Sequence, residues 1–130
     1  MTNDTVPGAC LCGAVRFQLR LPSRWVAHCH CSFCRRAHGA AFVTWAGFAS
    51  DRFALAPDSL PPAWYASSPG ARRAFCPRCG SPMLFESTRW PGEVHVARAL
   101  ITGELEVPHL HGPPAANRIR SAADRKATPP

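Results

Sequence analysis

The chain has 130 residues, a length suited to one domain with a real hydrophobic core, since a domain near this size buries roughly two-thirds of its unfolded surface. Its 46% apolar content excludes a disordered chain, and no run of 18 apolar residues is present, which excludes a predicted membrane-spanning helix. Formal net charge is +7, carried by 14 arginines against a single lysine, and would suit an acidic partner such as nucleic acid if nothing else balanced it.

The 14 prolines and 9 glycines suit short strands joined by turns better than helices. Residues 8–21 begin Gly-Ala-Cys-Leu-Cys-Gly and continue as an alternating run. Val15, Phe17, Leu19 and Leu21 share one face and Arg16, Gln18 and Arg20 the other, which predicts a half-buried strand ended by Pro22. Trp25 to Cys31 reads as a second strand. Ser32 to His38 reads as a short helix, capped at its start by Ser32 and closed by Gly39. Strands are then predicted over Ala40–Phe48, Arg52–Ala56, Ala63–Ser67, Met83–Glu86 and Glu93–Leu100, while Ala71–Phe75 leads into the Cys76–Gly80 turn, where Phe75 and Ser81-Pro82 fit a strand–turn–strand setting. The four tryptophans, Trp25, Trp45, Trp64 and Trp90, are expected to pack in the core or along its edges. The result is a small, mostly β domain with one short helix over residues 1–112. Residues 113–130, rich in Pro, Ala and Arg, read as a loosely ordered tail.

Seven cysteines punctuate this pattern: Cys10, Cys12, Cys29, Cys31, Cys34, Cys76 and Cys79. Residues 1–9 contain no basic region followed by an apolar run, so no export signal is predicted. The expected location is the cytoplasm, where thiols stay reduced. The odd count and two Cys-x-Cys pairs also argue against a disulfide framework.

Metal ligation accounts for the cysteines better. Cys76-Pro-Arg-Cys79-Gly forms a tight turn whose two sulfurs and amides can face one cation, as in zinc ribbons. Structural zinc takes four ligands, and Cys10-Leu-Cys12-Gly13 is the natural supplier of the other two, because residues i and i+2 of an extended segment point the same way. Cys10, Cys12, Cys76 and Cys79 would then make a closed four-thiolate site. Cys29, Cys31 and Cys34 can surround a second ion, with no cysteine left for a fourth position. Three protein ligands and one open position is the pattern of a catalytic zinc.

His28 and His30 alternate with these cysteines and should point to the opposite side. His38, one helical turn after Cys34, could supply a fourth ligand or be an ordinary surface histidine. Arg35 and Arg36 directly follow Cys34. They could offset the charge of a three-thiolate zinc, clamp a substrate carboxylate, or stay solvated. Seven thiolates with two Zn²⁺ ions would lower the net charge by three, to +4, so much of the arginine excess would balance the metal sites.

The ordered set Gly8-Ala-Cys-Leu-Cys-Gly-Ala-Val-Arg-Phe17, Cys29-His-Cys-Ser-Phe-Cys-Arg-Arg36, Gly39-Ala-Ala-Phe42 and Phe75-Cys-Pro-Arg-Cys-Gly-Ser-Pro82 resembles the glutathione-dependent formaldehyde-activating enzyme family, which includes the centromere protein V-like domains. The resemblance covers about residues 8–100. Beyond them, Thr102–Glu106 and His109-Leu110-His111 are partial echoes. It implies a mostly β zinc domain of the β-tent type. It further implies a structural zinc on Cys10, Cys12, Cys76 and Cys79 and a second zinc on Cys29, Cys31 and Cys34. The implied activity joins glutathione to formaldehyde to give S-hydroxymethylglutathione, a carbon–sulfur lyase reaction in reverse.

The expectation is therefore a zinc enzyme acting on glutathione or a related small thiol and its aldehyde adduct. In it Cys29, Cys31 and Cys34 hold the working ion and Arg35 or Arg36 holds the substrate. One alternative is a non-enzymatic zinc module for a protein or nucleic-acid partner, supported by the basic balance and by Arg118, Arg120 and Arg125. Nucleic acid is disfavoured because Arg72, Arg73 and Arg78 are scattered near Phe75 and do not interleave with a stacking face. A metal-buffering protein with labile thiols is a further alternative.

Overall fold

Alternating apolar side chains and turn residues divide residues 4–105, the part of the chain that the computed structural model describes, into strands around one short helix. The expected tail at 113–130 and the last residues of the expected 1–112 domain lie outside the described residues. In chain order the elements are β1 (Thr5–Ala9), β2 (Arg16–Arg20), β3 (Trp25–Cys29), α1 (Ser32–His38), β4 (Val43–Ala49), β5 (Phe53–Leu55), β6 (Ala63–Ser68), β7 (Ala71–Phe75), β8 (Pro82–Ser87) and β9 (Glu93–Ala97). Short 3₁₀ turns sit at Ser50–Arg52 and Arg98–Leu100.

The strands form two antiparallel sheets, one of three strands in the order β1-β2-β5 and one of six in the order β3-β4-β9-β8-β7-β6. The mostly β architecture with one short helix is as the sequence leads one to expect. The alternating run also behaves as read, with Val15, Phe17 and Leu19 fully buried. Burying a large apolar side chain contributes roughly 1.5–3 kcal/mol, which is why the period of two fixes which face of β2 turns inward.

The two faces of the larger sheet have different jobs. One face, with Val26, Ala46, Phe48, Ala74, Leu84, Val94 and Val96, packs with Val6, Phe17 and Leu19 of the small sheet into the main core. The other carries Trp45, Phe85 and Ala97 and packs with Cys31 and Cys34. A row of paired residues crosses this second face: Trp25 opposite Gly47, Gly47 opposite His95, His95 opposite Phe85, Phe85 opposite Arg73 and Arg73 opposite Tyr65. Gly47 is required there. A Cβ on it would lie 2.2 Å from the Trp25 ring, which lies over the glycine and meets His95 edge-on at 4.6 Å.

Several boundaries differ from the sequence reading. β1 was not expected; it pairs with β2 along an outer edge, where Pro7 and its missing N–H are tolerated. The strand expected over Trp25–Cys31 stops at Cys29, because Cys31 turns to cap α1. The cap is thus not Ser32, the first helical residue. It is the Cys31 sulfur, which accepts from the Cys34 amide at 3.5 Å. Gly39 closes the helix as expected, at φ 60°, with its amide bonded to the Arg35 carbonyl. The strand expected from Ala40 begins at Val43, and the one expected to reach Leu100 ends at Ala97.

Candidate metal centres

The four-cysteine group is assembled from two turns. One lies between β1 and β2, where Gly13 adopts φ 80° and its amide bonds to the Cys10 carbonyl. The other lies between β7 and β8, where Gly80, also at φ 80°, donates to the Cys76 carbonyl. Both glycines occupy the left-handed region that a side chain disfavours, and so let the chain reverse directly after its cysteines. Ser81 ties the turns together: its hydroxyl accepts from the Leu11 amide at 3.0 Å and lies 3.1 Å from the Cys79 sulfur.

The ligand atoms of Cys10, Cys12, Cys76 and Cys79 all lie within 4.8 Å of one another. Cys10 and Cys12 Sγ are 3.7 Å apart and Cys12 and Cys76 Sγ 3.8 Å. Tetrahedral zinc with bonds of about 2.3 Å sets its sulfurs about 3.8 Å apart, so these separations fit the ion. Backbone amides already point at the sulfurs, Val15 on Cys10 at 3.3 Å and Arg78 and Cys79 on Cys76 at 3.3 and 3.4 Å.

The thiols of this group differ in acidity. The Ser81 hydroxyl and amide push the Cys79 thiol down to about 5. Burial resists ionisation of Cys10, but the Val15 amide and the Cys76 and Cys12 thiols bring it below the ordinary range. Cys12 pays the balance: the Ala14 amide favours its thiolate, yet burial and the other sulfurs push it up to about 11. Partial charges on amides cannot hold four thiolates at once, whereas a divalent cation at the centre can.

The three-cysteine group sits on the other face of the large sheet. Cys29 ends β3, Cys31 caps α1 and Cys34 lies in its first turn. Cys29 Sγ is 3.4 Å from Cys31 Sγ and 3.3 Å from Cys34 Sγ. Cys31 is driven below the ordinary thiol range, first by the hydrogen bond from Cys29 and then by that from Cys34, while Cys29 is pushed up by its own contacts with Cys31 and Cys34 and by burial. Without a cation one thiolate excludes its neighbours, so this donor set also fits a divalent ion. Among the described residues no further His, Cys, Asp or Glu atom joins the three sulfurs within 4.8 Å.

The histidines fall into place around this group. His28 faces away, with Nδ1 2.8 Å from Thr44 Oγ1, and both His28 and His30 pack on Phe42. His38 does not join the sulfurs and is not a plain surface residue either. It packs edge-on against Trp45 at 5.1 Å, and burial followed by the charge of Arg73 pushes it down to about 4. His109 and His111 lie outside the described residues.

Arg35 and Arg36 line a shallow pocket of about 550 Å³ with Ser32, Gly39, Ala40 and Ala41. Neither is the guanidinium on the sulfurs. That group is Arg73, buried on β7, whose Nη2 lies 3.6 Å from Cys34 Sγ. Sequence reasoning passed over it as one of several scattered arginines. The available signal was its strand position, two residues from Ala71 and from Phe75 on an inward face. Trp45 is buried in the same cluster as Cys31 and Cys34 and Trp25 packs against that cluster, whereas Trp90 is substantially exposed.

Two known proteins are similar to this chain to measured degrees. A Halomonas elongata protein named "Putative glutathione-dependent formaldehyde-activating enzyme" is 32% identical over 108 residues, covering 78% of this chain and 68% of that one. The crystal structure of a Rhodobacter sphaeroides protein, 26% identical, matches with a TM-score of 0.63 over 77% of this chain and 91% of that one. The sequence profile of the glutathione-dependent formaldehyde-activating enzymes matches residues 5–117. With that match spanning most of its length, and with two cysteine groups able to hold metal ions, the chain belongs to the glutathione-dependent formaldehyde-activating enzyme family.

Proposed function

We propose that the chain holds one zinc ion at each cysteine group, and that the three-cysteine group is where glutathione or a related small thiol joins formaldehyde. The observation that carries this reading is the convergence of Cys29, Cys31 and Cys34 without a fourth ligand-type side chain among the described residues. The four-cysteine group, which ties the small sheet to the β7–β8 turn, is structural. Zinc held by the three thiolates would supply a position that favours the thiolate form of an incoming thiol.

The chain's own residues supply binding and orientation. Arg35 and Arg36 offer paired guanidinium donors for a carboxylate beside α1, and charge-assisted contacts of that kind are roughly twice as strong as neutral ones. Buried Trp45 and Phe85 keep water from the inner side of the three sulfurs. In the reaction the thiol sulfur forms a bond to the aldehyde carbon, the carbonyl π bond breaks, and the thiol proton ends on the oxygen. The product is a hydroxymethyl thioether, and no redox partner is required.

Calorimetric titration of glutathione into zinc-loaded protein and into its Cys31→Ser variant tests this. Serine preserves an N-cap acceptor for α1, so the variant removes a sulfur and spares the helix. Loss of glutathione binding in the variant is expected. Equal binding by both proteins would refute the proposal.

A further inference from the structure

Arg73 is a charged side chain in an apolar setting. It is 4% exposed, its guanidinium carbon lies 4.8 Å above the Phe85 ring, and its hydrogen-bond partner is the Cys34 sulfur. Nη1 is buried with no hydrogen-bond partner among the described residues. None of the carboxylates that pair with other arginines reaches it: Asp58 pairs with Arg16, Glu93 with Arg24 and Glu86 with Arg72. A buried cation without a counter-ion is strongly unfavourable, and among the described residues the three-cysteine group is the place for its balancing charge.

We propose that Arg73 is the positioning residue of the three-cysteine centre, a built-in counter-charge placed against the Cys34 sulfur that matches the charge of the loaded site. The proposal rests on the reading that this group binds a metal ion. Three thiolates and one divalent cation carry a single net negative charge, which one guanidinium cancels. A monovalent ion would leave one negative charge uncancelled and a trivalent ion would leave Arg73 unbalanced, so the arginine also tunes the site to divalent ions. Nη1 remains a buried donor without a partner among the described residues, and the Phe85 ring packs against the guanidinium. Metal ligands depend on such outer hydrogen bonds, and removing one typically lowers metal affinity 10- to 100-fold.

The test compares wild type with Arg73→Met, Arg73→Gln and Arg73→Lys in the full chain, each loaded with zinc and titrated with a chromophoric chelator. The four-cysteine site serves as an internal control for folding. Wild type should hold two ions. The Met and Gln variants should release the second at least ten-fold more readily and keep the first unchanged, and Lys should recover part of the loss. In cobalt-substituted protein, loss of the hydrogen bond to Cys34 should move the sulfur-to-cobalt absorption to longer wavelength, a shift that a purely packing role would not produce. Should Arg73→Met fail to fold, Arg73→Gln and Arg73→Lys are read against each other in the same way. Equal affinity and an unmoved band in the neutral variants, or no recovery with lysine, would overturn the proposal. Wild type that binds a single ion would instead overturn the metal reading beneath it.

Discussion

Cys12 Sγ lies 3.8 Å from Cys76 Sγ, a contact that spans 64 residues and joins the β1–β2 turn to the β7–β8 turn. Cys76 is fully buried in the main core and accepts two backbone amides. The group therefore closes the small sheet onto the large one. A structural zinc site contributes on the order of 10 kcal/mol to folding, comparable to the whole stability of a domain. Cys76→Ala, or chelation of the wild type, should abolish the cooperative unfolding transition seen by circular dichroism. An unchanged urea midpoint would show that the group is not a clasp.

The Trp25–Gly47 packing offers a test of the second face. Gly47→Ala places a methyl group against the indole ring and must displace Trp25 from His95. Overpacking of this kind costs about 1–3 kcal/mol. Urea denaturation should register that loss, and near-ultraviolet circular dichroism should register the altered tryptophan environment.

Much of this architecture was legible beforehand. Alternation at Val15, Phe17 and Leu19 identified an inward face, because burial on one side of a strand writes a period of two into the chain. β1 was not among the expected strands; it contains Pro7 and Gly8, which disfavour strand interiors, yet an edge strand accommodates both. The helix cap was assigned to Ser32 because serine is a common cap, but the sulfur one residue earlier takes the amide. The burial of Arg73 could be read from its strand position, but its partner could not. Its role depends on the register that sets it opposite Phe85 and on a contact with Cys34 across 39 residues, and local sequence carries neither.

His95 predicts a pH dependence. Burial among Trp25, Phe85 and Trp90 depresses its pKa below 6.5, only partly opposed by the hydrogen bond to Glu93 and by the charges of Glu93 and Glu86. The unfolded chain therefore binds this proton at a higher pH than the folded one. The contribution is fully present above about pH 6.5 and is lost as pH falls below it. Glu93, whose pKa is also lowered in the fold by His95 and Arg24 against the effect of burial, adds a loss of the same sign at more acid pH. Unfolding free energy measured by urea should decline from pH 7.5 to 5.5, and His95→Gln should flatten that decline.

The paired arginines beside α1 separate binding from folding. Arg36 is exposed, Arg35 is half-buried, and neither touches the cysteine sulfurs. A hydrogen bond to a charged group contributes about 1.5–3 kcal/mol, so the double variant Arg35→Ala/Arg36→Ala should weaken glutathione binding at least ten-fold with both metal ions retained. Calorimetry measures the first and metal analysis the second. Unchanged affinity would remove these residues from the carboxylate site.

The central claim is that seven cysteines divide into a closed group of four and a working group of three, each holding one ion. Native mass spectrometry of the zinc-loaded chain tests it most directly. Wild type should carry two zinc ions per chain, Cys31→Ser should carry one, and added glutathione should be retained by wild type alone. A single zinc in the wild type, or two in Cys31→Ser, would contradict it.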